Sequence, residues 1–236
     1  MVMACVVFGC GGGQGTNVAR EVTVAKPEPE PQDLFEPLRQ PYKDAVRASR
    51  AGDQLATRRS IRAMLTALER ARTARTGGWP APYDSEPELT TTALELLINQ
   101  TKVVGALSLT GQSEEAYTTL MDLGGVLQGV RKHLGVARPT DLLIGVYQQL
   151  EGIETALASG QIDWRALDVT ISLMFNAIGQ LRGMSDEGLP EACQSAQTWA
   201  TFDALNEAAA RGQQTPLYES WLDASRAFPA IFELCG

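Results

Sequence analysis

Between residues 113 and 182, apolar side chains return at alternating intervals of three and four. Leu120, Leu123, Leu127, Val130 and Leu134 form one such seam. Leu143, Val146, Leu150, Ile153 and Leu157 form the next, and Leu167, Ile171, Met174, Ile178 and Leu181 a third. A helix turns every 3.6 residues, so this spacing gathers each set on one face. The stretch before them carries Ala93, Leu97, Val104 and Leu107, with Gln100 interrupting. The pattern predicts four helices, over about 86–110, 113–134, 140–159 and 161–182. Gly111, Gly135 and Gly160 stop them, and Ser113, Thr140 and Asp163 can start the next ones. The connections are short, so sequence neighbours should pack antiparallel at a shallow angle of about 20°. The fold expected is all-α, an antiparallel up-down helical bundle of four central helices with flanking helices. A solenoid of helical hairpins ranks second, because no residue pattern recurs at a fixed period.

The flanks are also helical in pattern. A first helix over about 33–51 is disturbed near Pro37 and Pro41 and closed by Gly52. Asp53 can cap a second that runs to about Thr76, with Leu55, Ile61, Met64, Leu65 and Leu68 on one side. Gly77-Gly78-Trp79-Pro80-Ala81-Pro82 is a break, and Ser85 with Glu88 has the spacing of a capping box. Past Pro190, two further helices are expected at about 190–211 and 216–226, followed by an apolar tail.

The start of the chain is different. An apolar run ends in Val7-Phe8-Gly9-Cys10, and Gly11-Gly12-Gly13-Gln14-Gly15 follows. A dinucleotide-binding loop needs G-x-G-x-x-G, and the spacing fails: the sixth residue is Gln14 counted from Gly9 and Thr16 counted from Gly11. A branched apolar residue, a small residue, Gly or Ala, then Cys resembles the export signal of bacterial lipoproteins. The resemblance covers about the first fifteen residues and no more. It implies a signal peptide over 1–9, diacylation of Cys10, and attachment to a membrane through lipid. Gly11 in place of an aspartate implies the outer membrane, facing the periplasm. Residues 10–32, which contain Lys26-Pro-Glu-Pro-Glu-Pro31, read as a linker, and 33–236 as the helical domain.

Composition refines this reading. Hydrophobic residues make up 44% of the chain, enough to fill a core. No stretch after residue 9 approaches the roughly 18 apolar residues that a membrane helix needs. Net charge is −8, unevenly spread. Residues 43–75 hold nine basic groups against three acids, a net of +6 that leaves −14 for the rest. An acidic body argues against a nucleic-acid partner. The basic segment either meets an anionic surface or acidic partner, or pairs with acids on neighbouring helices. If Cys5 leaves with a signal and Cys10 takes lipid, Cys193 and Cys235 remain as an even pair. In an oxidising compartment they can bridge; otherwise they are buried thiols.

Candidate chemistry is sparse. His133 is the single histidine, in the last turn of a helix with Arg131 and Lys132, where cations suit the helix dipole. One histidine cannot supply a histidine–carboxylate di-iron site or a zinc-protease pair. No metal and no cofactor is expected. Glu151 with Glu154, and Asp163 with Asp168, share helices, the minimum for a carboxylate-based enzyme. Helix-interior glycines are costlier than alanine, which suggests close packing or room for a ligand. A cavity beside Gly124 and Gly125, bordered by Met121, Tyr147, Met174 and Phe175, would suit a small apolar ligand. The leading expectation is a non-enzymatic, lipid-anchored envelope protein whose helical domain binds a protein or cell-wall partner. A carrier or sensor of an apolar ligand comes second, and a carboxylate enzyme third.

Overall fold

Apolar spacing of three and four gives helices throughout. The computed structural model describes residues 33–74, 77–136, 138–184 and 189–236. All of them belong to one unit, Pro31–Gly236. The expected signal over 1–9, the lipid-bearing Cys10 and the linker over 10–32 lie outside the described residues. A 3-10 turn at Glu36–Leu38 leads into α1 (Arg39–Arg50). Then come α2 (Gln54–Ala74), α3 (Pro87–Leu109), α4 (Ser113–His133), α5 (Pro139–Ala158) and α6 (Trp164–Gly183). The chain ends in α7 (Glu191–Gln194), a 3-10 turn at Ala196–Trp199, α8 (Ala200–Ala210) and α9 (Gln214–Cys235). The protein is an all-α, antiparallel helical bundle.

Local chemistry sets the boundaries. Pro37 lies inside the 3-10 turn and Pro41 in the first turn of α1, where a missing N–H costs little. Asp53 Oδ1 accepts from the amides of Leu55 and Ala56, and Asp163 Oδ1 from those of Arg165 and Ala166. Gly135 ends α4 at φ +71°, a conformation that other residues adopt at a cost. Three expected caps do not form. Ser85 donates its hydroxyl to Pro82 O, so α3 starts from Glu86 with Pro87 first. Ser113 is the first residue of α4, after an N-cap at Gln112. At α5 it is Asp141, not Thr140, that reaches back, accepting from the Arg138 amide at 2.8 Å.

The helices form two groups. α1, α2, α3 and α4 pack in chain order, and α4 returns to α1 to close a ring. In the second group α5 packs on α6 and α9, and α8 lies against α9. Contacts of α4 with α5 and of α1 with α9 join the groups. Ser49 Oγ donates to Ser113 O while Tyr42 Oη donates to Leu120 O, so α1 and α4 run antiparallel. Trp221 Nε1 donates to Leu150 O and Gly236 approaches Leu143, so α5 and α9 do too. Every seam residue named from α4 to α6 is buried except Leu134 and Leu157, which pack half-buried against the core. Full burial of each such side chain contributes roughly 1.5–3 kcal/mol before chain entropy is counted.

The C-terminal part departs from expectation. The helix expected over 190–211 is broken into α7, a 3-10 turn and α8. Trp199 Nε1 donates to Cys193 O across that break. α9 runs on through Pro229 to Cys235, well past residue 226. Phe228, Pro229, Ile231 and Phe232 are all buried there, and their burial outweighs one missing helix hydrogen bond. Cys193 and Cys235 form a disulfide, with Cα atoms 5.6 Å apart across 42 residues. In the chain-entropy view a loop of this length stabilises by up to about 4 kcal/mol.

Candidate functional site

The most concentrated chemistry is a buried charge cluster. Arg131, near the end of α4, points Nη2 at Asp33 Oδ2 and Nη1 at Asp141 Oδ1, both at 3.1 Å. The three side chains are 5%, 0% and 6% exposed, so water screens none of them. Tyr83, from the α2–α3 connection, donates to Asp33 Oδ1 at 2.6 Å, and the Phe35 amide adds a donor at 3.0 Å. Arg138 Nε closes on Asp33 Oδ2 at 3.4 Å. Burial alone would raise the Asp33 carboxyl, but Arg131, the Tyr83 hydroxyl, the Phe35 amide and Arg138 together hold it below its ordinary value. For Asp141 burial wins over Arg131 and the Arg138 amide, and its carboxyl is raised. Two carboxylates share one guanidinium, and the better-supplied one keeps its charge more easily. Burial pushes up the Tyr83 hydroxyl, and its hydrogen bond to Asp33 acts the same way. This arrangement locks Asp33 to α4, the start of α5 and Tyr83. Both carboxylates and both terminal nitrogens of Arg131 face protein partners, only its Nε lacking one among the described residues, and the cluster is a structural latch.

Gly124 of α4 sits where side chains of α1 and α5 converge. A Cβ there would strike Tyr42 Oη and Ile144 Cδ1. The space beside it is filled by those two side chains, so the close-packing explanation of this glycine holds. At Gly125 a Cβ would come within 2.9 Å of Gln148 Nε2, the end of a flexible side chain. Met121 and Met174 are core residues, 1% and 0% exposed. Tyr147 borders a groove of about 220 Å³ with Arg50, Tyr117, Leu150, Glu151, Glu154, Trp221 and Ser225. Phe175 borders a different groove of about 710 Å³, with Gln128, Lys132, Asp141, Leu142 and Leu173 among its lining. The six residues expected to frame one cavity thus lie in two grooves, in the core and at a helix crossing. Around Tyr147 the rings of Tyr117 and Phe228 pack at 6.2 and 5.9 Å, and Arg50 lies over Tyr117 at 5.8 Å.

The candidate acids and the histidine lie in separate places, with Asp168 exposed on α6. Glu151 and Glu154 rim the smaller groove, and Asp163 caps α6. His133 is exposed, with Nε2 3.6 Å from Glu86. Among the described residues no three His, Cys, Asp or Glu side chains gather as metal ligands, and no helix is long and apolar enough to cross a membrane.

α2 carries the other notable feature. Thr57, Ile61, Met64, Leu68 and Ala71 face the core, and α1 and α3 flank it. Its outer face exposes Arg58, Arg59, Arg62 and Arg70. Among the described residues none of these four has a carboxylate partner; Arg58 Nε donates to Gln54 O, and only Arg72 pairs, with Glu69. Pairing with a neighbouring helix accounts for Arg47, whose Nε lies 3.1 Å from Glu233 of α9, but not for these four arginines. A groove of about 420 Å³ runs along the face, lined by Arg62, Leu65, Thr66, Glu69, Arg70 and Thr73.

Comparison with known proteins finds no matching family model, no matching curated protein and no matching solved structure.

Proposed function

We propose that the protein is a non-enzymatic, lipid-anchored component of the bacterial cell envelope, held through Cys10 at the outer membrane and facing the periplasm. Its helical domain binds a protein or envelope partner. The Cys193–Cys235 disulfide is the observation that carries the reading, because structural disulfides persist in oxidising compartments and are rare in reducing ones. The Val7-Phe8-Gly9-Cys10 sequence supplies the means of attachment, and Arg58, Arg59, Arg62 and Arg70, without carboxylate partners among the described residues, supply a surface with charge to spend on a partner.

The test is intact mass and membrane fractionation of the wild type and of Cys10→Ala, expressed in a bacterium. A wild type that begins at Cys10, carries acyl mass and sediments with membranes, beside a variant that does not, is the expected result. Two cytosolic proteins with intact N-termini would remove the anchor and the compartment together.

A further inference from the structure

We infer that the outer face of α2 docks against the surface of a bilayer containing anionic lipid. This deepens the anchored reading by naming the face that the domain turns toward the membrane. Four features carry it. Arg58, Arg59, Arg62 and Arg70 lie on one side of one helix, exposed and without carboxylate partners among the described residues. A guanidinium matches phosphate oxygens bidentately, so an unpaired row of them suits lipid phosphates.

The rest of the chain carries −14 outside residues 43–75, so an anionic surface repels the body on balance and favours this basic face. The basic face also has apolar neighbours. Gly105 meets Ile61 and Gly111 meets Gln54, which lays the C-terminal half of α3 beside the N-terminal half of α2. There Leu55, Val103 and Leu109 are 54%, 49% and 65% exposed. Exposed aliphatics beside arginines are what an interface-seated surface uses, with the apolar groups entering between headgroups. A purely acidic polymer would use the arginines and gain nothing from the aliphatics, whereas a bilayer engages both. Finally, Gly11 to Gln32 are enough residues, at up to about 3.3–3.6 Å each, to let the domain choose its orientation.

The test uses the full chain with Cys10→Ala, so that no acyl group contributes. It is sedimented with vesicles of phosphatidylethanolamine and phosphatidylglycerol, and separately with phosphatidylcholine vesicles. We expect binding to the anionic vesicles alone, weakening as salt is raised. Arg59→Gln, Arg62→Gln and Arg70→Gln combined should weaken it by about tenfold or more. Leu55→Ser with Leu109→Ser should weaken it severalfold with all charges kept. Far-UV circular dichroism and melting confirm that each variant folds. Equal binding by the arginine variant, or equal binding to phosphatidylcholine, overturns the proposal. So does a chain that ignores vesicles but is retained by polyglutamate in an arginine-dependent way, since the partner would then be an acidic macromolecule. Because no acyl group is present, failure here is separate from failure of the anchor, which mass and fractionation read.

Discussion

The same side chain plays opposite parts in α4 and in α2. Arg131 is removed from water and spends both terminal nitrogens on carboxylates from distant parts of the chain. Arg59, Arg62 and Arg70 stay in water with no carboxylate partner among the described residues. A buried guanidinium without its partners would cost several kcal/mol, so Arg131 is committed to holding the fold. An exposed one costs almost nothing to leave unpaired, so the α2 arginines remain available to something outside the chain. Where a charge sits, rather than how many charges there are, separates structure from recognition here.

The contrast can be broken most directly at Arg131. Arg131→Met leaves Asp33 and Asp141 buried and facing each other, and should destabilise the domain by about 3–5 kcal/mol in urea denaturation. A loss of under 1 kcal/mol would mean that the cluster is not the latch described here. Gly124→Ala comes next. Its Cβ would overlap Tyr42 and Ile144 where α1, α4 and α5 meet, and should cost about 1–3 kcal/mol.

The two carboxylates sharpen the comparison further, through pH. Asp33 has a lowered carboxyl, so its stabilisation is complete above the unfolded value of about 3.9 and is lost as pH falls through the folded value. Asp141 has a raised one, so its contribution is present below the unfolded value and is lost as pH rises through the folded value. Asp33→Asn should therefore cost more than Asp141→Asn at neutral pH, with the gap closing below about pH 4. Parallel denaturation series at both pH values decide it; identical costs throughout would contradict the assignment. The smallest effect belongs to α2. Arg59→Gln, Arg62→Gln and Arg70→Gln should each shift stability by no more than about 0.5 kcal/mol. A larger loss would place them in the fold and not on a docking face.

Much of the fold was legible because helices report themselves locally. The three-and-four seams became the buried faces of α4, α5 and α6, and Gly111, Gly135 and Gly160 follow the ends of α3, α4 and α5 as expected. Lateral partners were not legible. Seams of equal quality cannot say that α4 closes on α1, because that choice depends on fit between faces far apart in the chain. The passage of α9 through Pro229 was hidden for a related reason: proline predicts a stop locally, and only tertiary burial overrides it. By position alone Arg131 groups with Lys132 and His133 as a helix-end cation. The latter two are exposed as that role requires, while Arg131 is buried. Its sequence did carry a signal, since it falls four residues after Leu127 and so on the apolar stripe of α4. The partner 98 residues away could not have been guessed. The α2 face was visible as a charge imbalance, yet only the structure distinguished unpaired arginines from paired ones.

Asp33 also has a mechanical meaning. It joins the residues that precede the bundle to the bundle itself, and tension along that segment arrives at its backbone. The load would not peel α1 from one end. Arg131 carries it into α4, Arg138 into the start of α5, and Tyr83 into the α2–α3 connection. Pulling there strains several bonds at once, so rupture requires them to fail together. A domain held from this side would resist force as a riveted joint does.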